Sequence, residues 1–161
     1  MALPKTWTAG KEILFRGEQV RLEIRIGESM AWIEFGEERV PLDDPNSDLR
    51  PIVELHLRKL ATRELPQRVM DLASEHMFSV GKISVRNQRS RWGSCSTKGN
   101  ISLNWRLVHT PLFVRDYIIL HEMAHLRVMN HSPRFWREVE RICPTYSTAE
   151  KWLRQNSNLL R

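Results

Sequence analysis

Glu12 to Arg16, Gln19 to Ile26 and Met30 to Phe35 each alternate apolar and polar residues, and Gly17-Glu18, Gly27 to Ser29 and Gly36-Glu37 separate them. A period of two marks half-buried strands, and the glycine-bearing breaks mark turns. Val20, Leu22, Ile24 and Ile26 define one face of the second strand, and Arg21, Glu23 and Arg25 the other. The pattern predicts an antiparallel β-meander, ended by the proline-bounded stretch Pro41 to Pro45.

From Asn46 to His76 the period becomes helical. Ile52, Leu55, Leu57, Leu60, Leu65, Val69, Met70, Leu72 and Ala73 form a broad apolar stripe. Pro66 is expected to kink this helix or divide it. Val80 to Val85 and Gly99 to Trp105 read as strands, joined by a polar connection from Arg86 to Lys98. Thr110-Pro111 is a helix start, and the segment that follows, to about Met129, is apolar nearly all round. Such a helix belongs in the middle of a fold. Ser132-Pro133 repeats the start signal for a helix to about Arg141, and Ser147 to Glu150 is a capping-box sequence opening a last one. The fold class is therefore α+β.

Composition narrows the setting. The chain has 161 residues, 41% of them hydrophobic and 27% charged, the mix of a soluble globular protein. No segment approaches the roughly 20 apolar residues of a membrane span. Residues Met1 to Trp7 hold no apolar core of a signal sequence, so none is expected. Cys95 and Cys143 are too few for a disulfide scaffold, and the expected compartment is the reducing cytoplasm. The net charge of +6 is uneven. Residues 1–80 carry 11 Lys/Arg against 14 Asp/Glu, and residues 81–161 carry 14 against 5. A basic half-chain suits an anionic partner such as nucleic acid, or simply a basic surface.

The chemistry lies inside the apolar helix, at His121-Glu122-Met123-Ala124-His125. Histidines at i and i+4 share one helix face and can reach one ion. Glu122 is about 100° further round the helix, placed to reach a water on the metal. Buried in an apolar helix, these groups need partners to offset desolvation. A catalytic zinc takes a third protein ligand and keeps one position open. His131 is the candidate, reached by a sharp turn for which Asn130 in the left-handed conformation is suited. Glu138 and Glu140 on the next helix are rivals.

Arg89 to Trp136 resembles the YgjP-like metallopeptidase family, which is related to the SprT-like and WLM-type zinc proteases. The matching pieces are Arg91 to Ser96, Ile101 to Leu107, Pro111, His121 to Leu126, Asn130 to Ser132, Phe135-Trp136, and further on Pro144 and Tyr146. The resemblance implies a zincin-like minimal metallopeptidase domain. It also implies a Zn2+ ion held by His121, His125 and His131, with Glu122 catalytic. On this reading residues 1–161 are one domain: a meander over 1–45, a long helix over 46–78 and a catalytic core over 79–161. The histidine spacing also equals that of the metzincins, but Val128 stands at their glycine position and no Met-turn follows.

The expected activity is hydrolysis of peptide bonds in a peptide or protein substrate, with a non-peptide amide as a minor variant. Tyr146 is a candidate hydrogen-bond donor to an oxyanion, or a packing residue. The strand pair Val80 to Val85 and Gly99 to Trp105 forms a candidate sheet edge for substrate, with Gly93 and Gly99 allowing close approach and Trp92 and Gly93 as candidate substrate residues. Arg86, Arg89 and Arg91 with Trp92 and Trp105 are either a non-specific DNA surface or ordinary sheet residues. In the related SprT-like proteases, DNA-stimulated cleavage of DNA-bound proteins is a known theme.

Overall fold

The computed structural model describes residues 6–160. Residues 1–5, part of the stretch on which the expected lack of a signal sequence rests, and Arg161 lie outside them.

The meander has more strands than the alternation predicts. β1 (Glu12–Phe15) and β2 (Glu18–Arg21) form an antiparallel hairpin, while β3 (Glu23–Ile26), β4 (Ala31–Phe35) and β5 (Glu38–Leu42) form a separate antiparallel sheet. The expected single strand Gln19 to Ile26 thus divides at Leu22. That residue is fully buried, and its backbone still bonds to Lys11 and Gly10 on the β1 side. From Glu23 onward the pairing passes to β4. Ile26, expected on the buried face, is 74% exposed. Pro41 does not end the sheet but lies within β5. β5 pairs on one side only, where a missing N–H costs no ladder bond.

α1 (Arg50–His76) is a continuous helix of 27 residues that runs through Pro66 undivided. Leu57, Leu60, Ala61, Leu65, Val69, Leu72 and Ala73 are buried on both sides of the proline, so packing along the whole face holds the helix together. Leu55 and Met70 point outward instead. The helix ends at Met77 in the left-handed conformation (φ 60°).

A small mixed sheet follows, in the order β6 (Ile83–Arg86), β8 (Ile101–Asn104), β7 (Gly93–Cys95). β6 runs parallel to β8, and β7 antiparallel to it. β7 lies inside the stretch expected to be only a polar connection, and forms the edge of the sheet. A 3₁₀ turn, Trp105–His109, leads into α2 (Leu112–Ala124). Thr110 caps the end of that turn, its hydroxyl donating to Leu107 O at 2.7 Å, and Pro111 rather than Thr110 is the N-cap of α2.

α2 stops at Ala124, about a turn before the expected Met129. The chain then tightens: His125, Leu126 and Arg127 donate backbone bonds three residues back, to Glu122, Met123 and Ala124. Asn130 is not in the left-handed region, since Arg16 and Met77 are the non-glycine residues with positive φ among those described. The tightened turn redirects the chain without it. α3 (Pro133–Ile142) is capped by Ser132, whose Oγ accepts from Phe135 N. α4 (Tyr146–Asn156) starts one residue before Ser147, with Thr145 as its N-cap, so Ser147 lies inside the helix and the expected capping box does not form.

The core joins these parts. Ile33, Leu57, Leu65, Leu103, Ile119, Met123 and Phe135 are fully buried. Arg68 clamps α1 to α2 through two bonds to Asp116, at 3.0 and 2.8 Å. α2, packed on the small sheet and against α3 and α4, is held from all sides.

Candidate metal centre and cleft

The last turn of α2 and the tight turn after it bring three imidazoles together. One ligand atom each from His121, His125 and His131 lies within 4.8 Å of the others. The ring centroids are 5.4 Å apart for His121 and His125, 5.6 Å for His121 and His131, and 4.8 Å for His125 and His131. Glu138 instead pairs with Arg127 and Arg141, both at 2.6 Å, and Glu140 is exposed.

α3 supplies the platform beneath the rings. Phe135, fully buried, stacks on His125 at 4.4 Å and meets His121 and His131 edge-on at 5.0 Å. Trp136 flanks His121 at 5.7 Å. The Ser132 cap fixes the start of α3, and so fixes Phe135.

The outer ring nitrogens are also engaged. His125 Nδ1 bonds Val128 O at 3.1 Å, and His121 Nδ1 bonds the Tyr117 hydroxyl at 3.2 Å. A carbonyl oxygen only accepts, so His125 carries its proton on Nδ1 and turns the Nε2 lone pair outward. Burial, and then the neighbouring histidines, pull the His121 pKa down to about 4. Burial lowers that of His125 as well. Neutral imidazoles with converging lone pairs suit a divalent cation, and a three-nitrogen set leaves a coordination position open. The residues present therefore fit a catalytic metal.

Glu122 is 7% exposed and lies on the wall of a cleft of about 490 Å³. Burial pushes its carboxyl up to about 7, against the opposing pull of Arg91. Arg91, Trp92 and Gly93, on and beside β7, form one side of the cleft, and Glu150, Leu153 and Arg154 of α4 the other.

The sequence matches the YgjP-like metallopeptidase domain over residues 2–156. The chain belongs to the YgjP-like metallopeptidase family. Among solved structures, the metallopeptidase zymogen abylysin of Pyrococcus abyssi is similar at 26% identity and a TM-score of 0.51. The likeness covers 60% of this chain and 96% of abylysin. The metallopeptidase zymogen jannalysin of Methanocaldococcus jannaschii is 22% identical with a TM-score of 0.49, over 58% of this chain and 96% of jannalysin. No curated protein matches the sequence closely enough to count as a relative. The α+β architecture of this YgjP-like chain is that of the minimal zincin-type metallopeptidases.

Tyr146 is half-buried against Trp136, ring centroids 5.7 Å apart, and the tyrosine that lines the cleft is Tyr117. Trp92 and Gly93 line the cleft. Gly99 instead serves a turn, with φ 82° and Leu126 beside it. Trp105 is buried and donates its indole N–H to Asn87 at 3.1 Å, so its face is not offered to a base. Burial raises the Cys95 thiol to about 11, which keeps it protonated. Sequence reasoning gave no site role to Tyr117 or Glu150, and Phe135 entered it only as part of the family resemblance. The one available signal is spacing: Tyr117 precedes His121 by four residues, and Phe135 follows His131 by four.

No helix among the described residues is long and apolar enough to cross a membrane.

Proposed function

We propose that this chain is a zinc-dependent peptidase of one domain in which His121, His125 and His131 hold Zn2+ and Glu122 is the general base. The observation that carries the reading is the convergence of three imidazole donors within 4.8 Å, with the buried Glu122 beside them on the cleft wall. Zinc is favoured over a harder ion because the donor set is all nitrogen and four-coordinate with one open place. When bound, zinc supplies Lewis acidity, polarising a carbonyl and lowering the pKa of a water.

The chain's own residues do the rest. Glu122 takes a proton from the attacking water and passes it to the leaving amine. Its depth in the cleft wall limits competition from bulk solvent. The free edge of β7 offers backbone groups to an extended peptide, which can add as a further strand. The free thiols of Cys95 and Cys143 support a reducing compartment, the cytoplasm.

Metal analysis and peptide hydrolysis test the reading together. Expected is about one zinc per chain. Glu122→Gln should retain it while hydrolysis falls by about 10²–10⁴-fold. A Glu122→Gln protein as active as the parent overturns the assignment.

DNA is a second partner to test, supported by the exposed Arg86, Arg89 and Arg91, the last of which lines the cleft. It predicts retardation of DNA that weakens steeply with salt. No retardation at low salt dismisses it.

A further inference from the structure

We infer that Tyr117 and Glu150 form a relay that positions His121 for the metal, making helix α4 part of the metal site. The inference rests on the reading of the three histidines as a zinc centre.

Tyr117 has one hydroxyl proton and is almost wholly buried, at 3% exposure. It donates that proton to Glu150 Oε1 at 2.6 Å, since an ionised carboxylate only accepts. The phenolic oxygen of Tyr117 also lies 3.2 Å from His121 Nδ1. With its proton committed to Glu150, the phenol can only accept from His121. Nδ1 therefore carries the imidazole proton, and Nε2 is left as the lone pair for the ion. His125 reaches the same tautomer through Val128 O at 3.1 Å.

The two supports differ in kind. Val128 lies in the turn that follows His125, and its carbonyl is fixed by the local backbone. The support of His121 is assembled across the fold, with Tyr117 on α2 and Glu150 on α4, 33 residues apart. A carboxylate behind the phenol makes its oxygen a stronger acceptor, and the imidazole in turn a stronger ligand. Glu150 is otherwise approached by Arg154 at 4.0 Å, a distance too long for a hydrogen bond. Its short bond is the one to Tyr117.

The test is zinc affinity, read by competition with a chromogenic chelator, for the parent, Tyr117→Phe, Glu150→Gln and the double variant, with His121→Ala as control. Tyr117→Phe should weaken zinc binding by about 10–100-fold. Glu150→Gln should weaken it less, because an amide oxygen still accepts from the phenol. The double variant should match Tyr117→Phe, because Glu150 acts only through Tyr117. Melting of the metal-free chains should change far less than affinity, which separates positioning from bulk stability. Imidazole ¹H–¹⁵N spectra of the zinc-loaded parent should show the His121 Nδ1 proton, shifted in Tyr117→Phe. Glu150→Gln keeps the core intact and reads the same relay even where loss of the hydroxyl unfolds the chain.

Parental affinity in both single variants, with affinity lost in His121→Ala, overturns the relay alone. Additive losses in the double variant also overturn it. If His121→Ala binds zinc as tightly as the parent, the zinc reading falls and the relay with it.

Discussion

The γ-carbon of Glu122 lies 3.0 Å from the point that a β-carbon would occupy on Gly93. Strand β7 and helix α2 approach so closely that the strand has room for a hydrogen and little more. The same added carbon would meet Ser102 O at 3.1 Å and Leu103 Cδ2 at 3.2 Å, so it could not move away without lifting β7 off β8. Gly93→Ala is expected to destabilise the fold by about 1–3 kcal/mol through overpacking. It should also displace Glu122, lowering kcat by at least about tenfold while zinc content holds, since a small misplacement of a catalytic group is costly. Thermal melts, metal analysis and peptide hydrolysis on one preparation decide this. A Gly93→Ala protein with parental melting and kcat would show that the contact yields freely.

Glu122 gives a signed pH dependence. Its folded carboxyl is raised from 4.5 to about 7, so the native chain holds that proton more tightly than the unfolded chain does. Its destabilising effect is absent below pH 4.5, grows as pH rises through 7, and then levels off. Glu122→Gln removes the effect. The metal-free variant should therefore exceed the metal-free parent in stability at pH 8, with a gap larger by about 2–3 kcal/mol than at pH 5. His121 runs the other way, its neutral form favoured in the fold until pH falls towards about 4, but it is common to both proteins and cancels. Zinc should narrow the gap, because a nearby cation favours the carboxylate. Denaturant titrations in chelator at the two pH values measure this, and an equal gap at both would contradict the burial argument.

Metal removal should be visible as lost stability. A ligand present at 100 times its Kd adds about 2.7 kcal/mol to the folded state. Chelation should lower the melting temperature of the parent by several degrees and leave His131→Ala almost unchanged, since that variant has lost a donor. The protection should fail in acid as protons compete with the ion for the ring nitrogens, a competition that burial weakens at His121 and His125. Differential scanning at stepped pH, with and without chelator, checks both statements. A chelator effect of parental size in His131→Ala would remove His131 from the ligand set.

How legible the site is from sequence follows from range. His121, Glu122 and His125 are related by helix geometry alone, so their spacing is enough to predict a shared site. His131 follows a few residues later, and the Ser132-Pro133 start signal locates the helix that holds it. Tyr117 and Glu150 meet only through the packing of α2 on α4, and Glu150 fits a capping box equally well in sequence. β7 is invisible for a different reason. Gly93, Ser94 and Cys95 show no apolar alternation, and what makes them a strand is the β8 edge they pair with. The division at Leu22 is likewise a choice between partners, Lys11 on one side and β4 on the other, that one strand's pattern does not contain.

Asn104 holds the cleft wall in place. It is buried at the end of β8, and its amide nitrogen donates to Gln88 O at 2.7 Å and to Arg91 O at 2.9 Å. Its amide oxygen accepts from Arg106 N at 3.0 Å, capping the 3₁₀ turn. One side chain thus ties the loop before β7 to the sheet and starts the turn that leads into α2. Asn104→Ala takes one of two donors from Gln88 O, which keeps Arg106 Nη1 at 3.1 Å, and removes the Asn104 partner of Arg91 O and Arg106 N, at a cost of about 1–3 kcal/mol for each group left buried and unpaired. Asn104→Asp keeps the cap but turns both loop contacts into carboxylate against carbonyl, so it should be at least as harmful to the loop. Both variants should loosen residues 88–92 and with them Arg91 and Trp92 of the cleft, raising KM more than they lower zinc affinity. Hydrogen exchange over that loop, KM and zinc titration together test this. Parental exchange in the loop of Asn104→Ala would mean that the remaining bonds, from Trp105 and Arg106 to Asn87 and Gln88 and from Asn104 N to Trp92 O, anchor it without the amide.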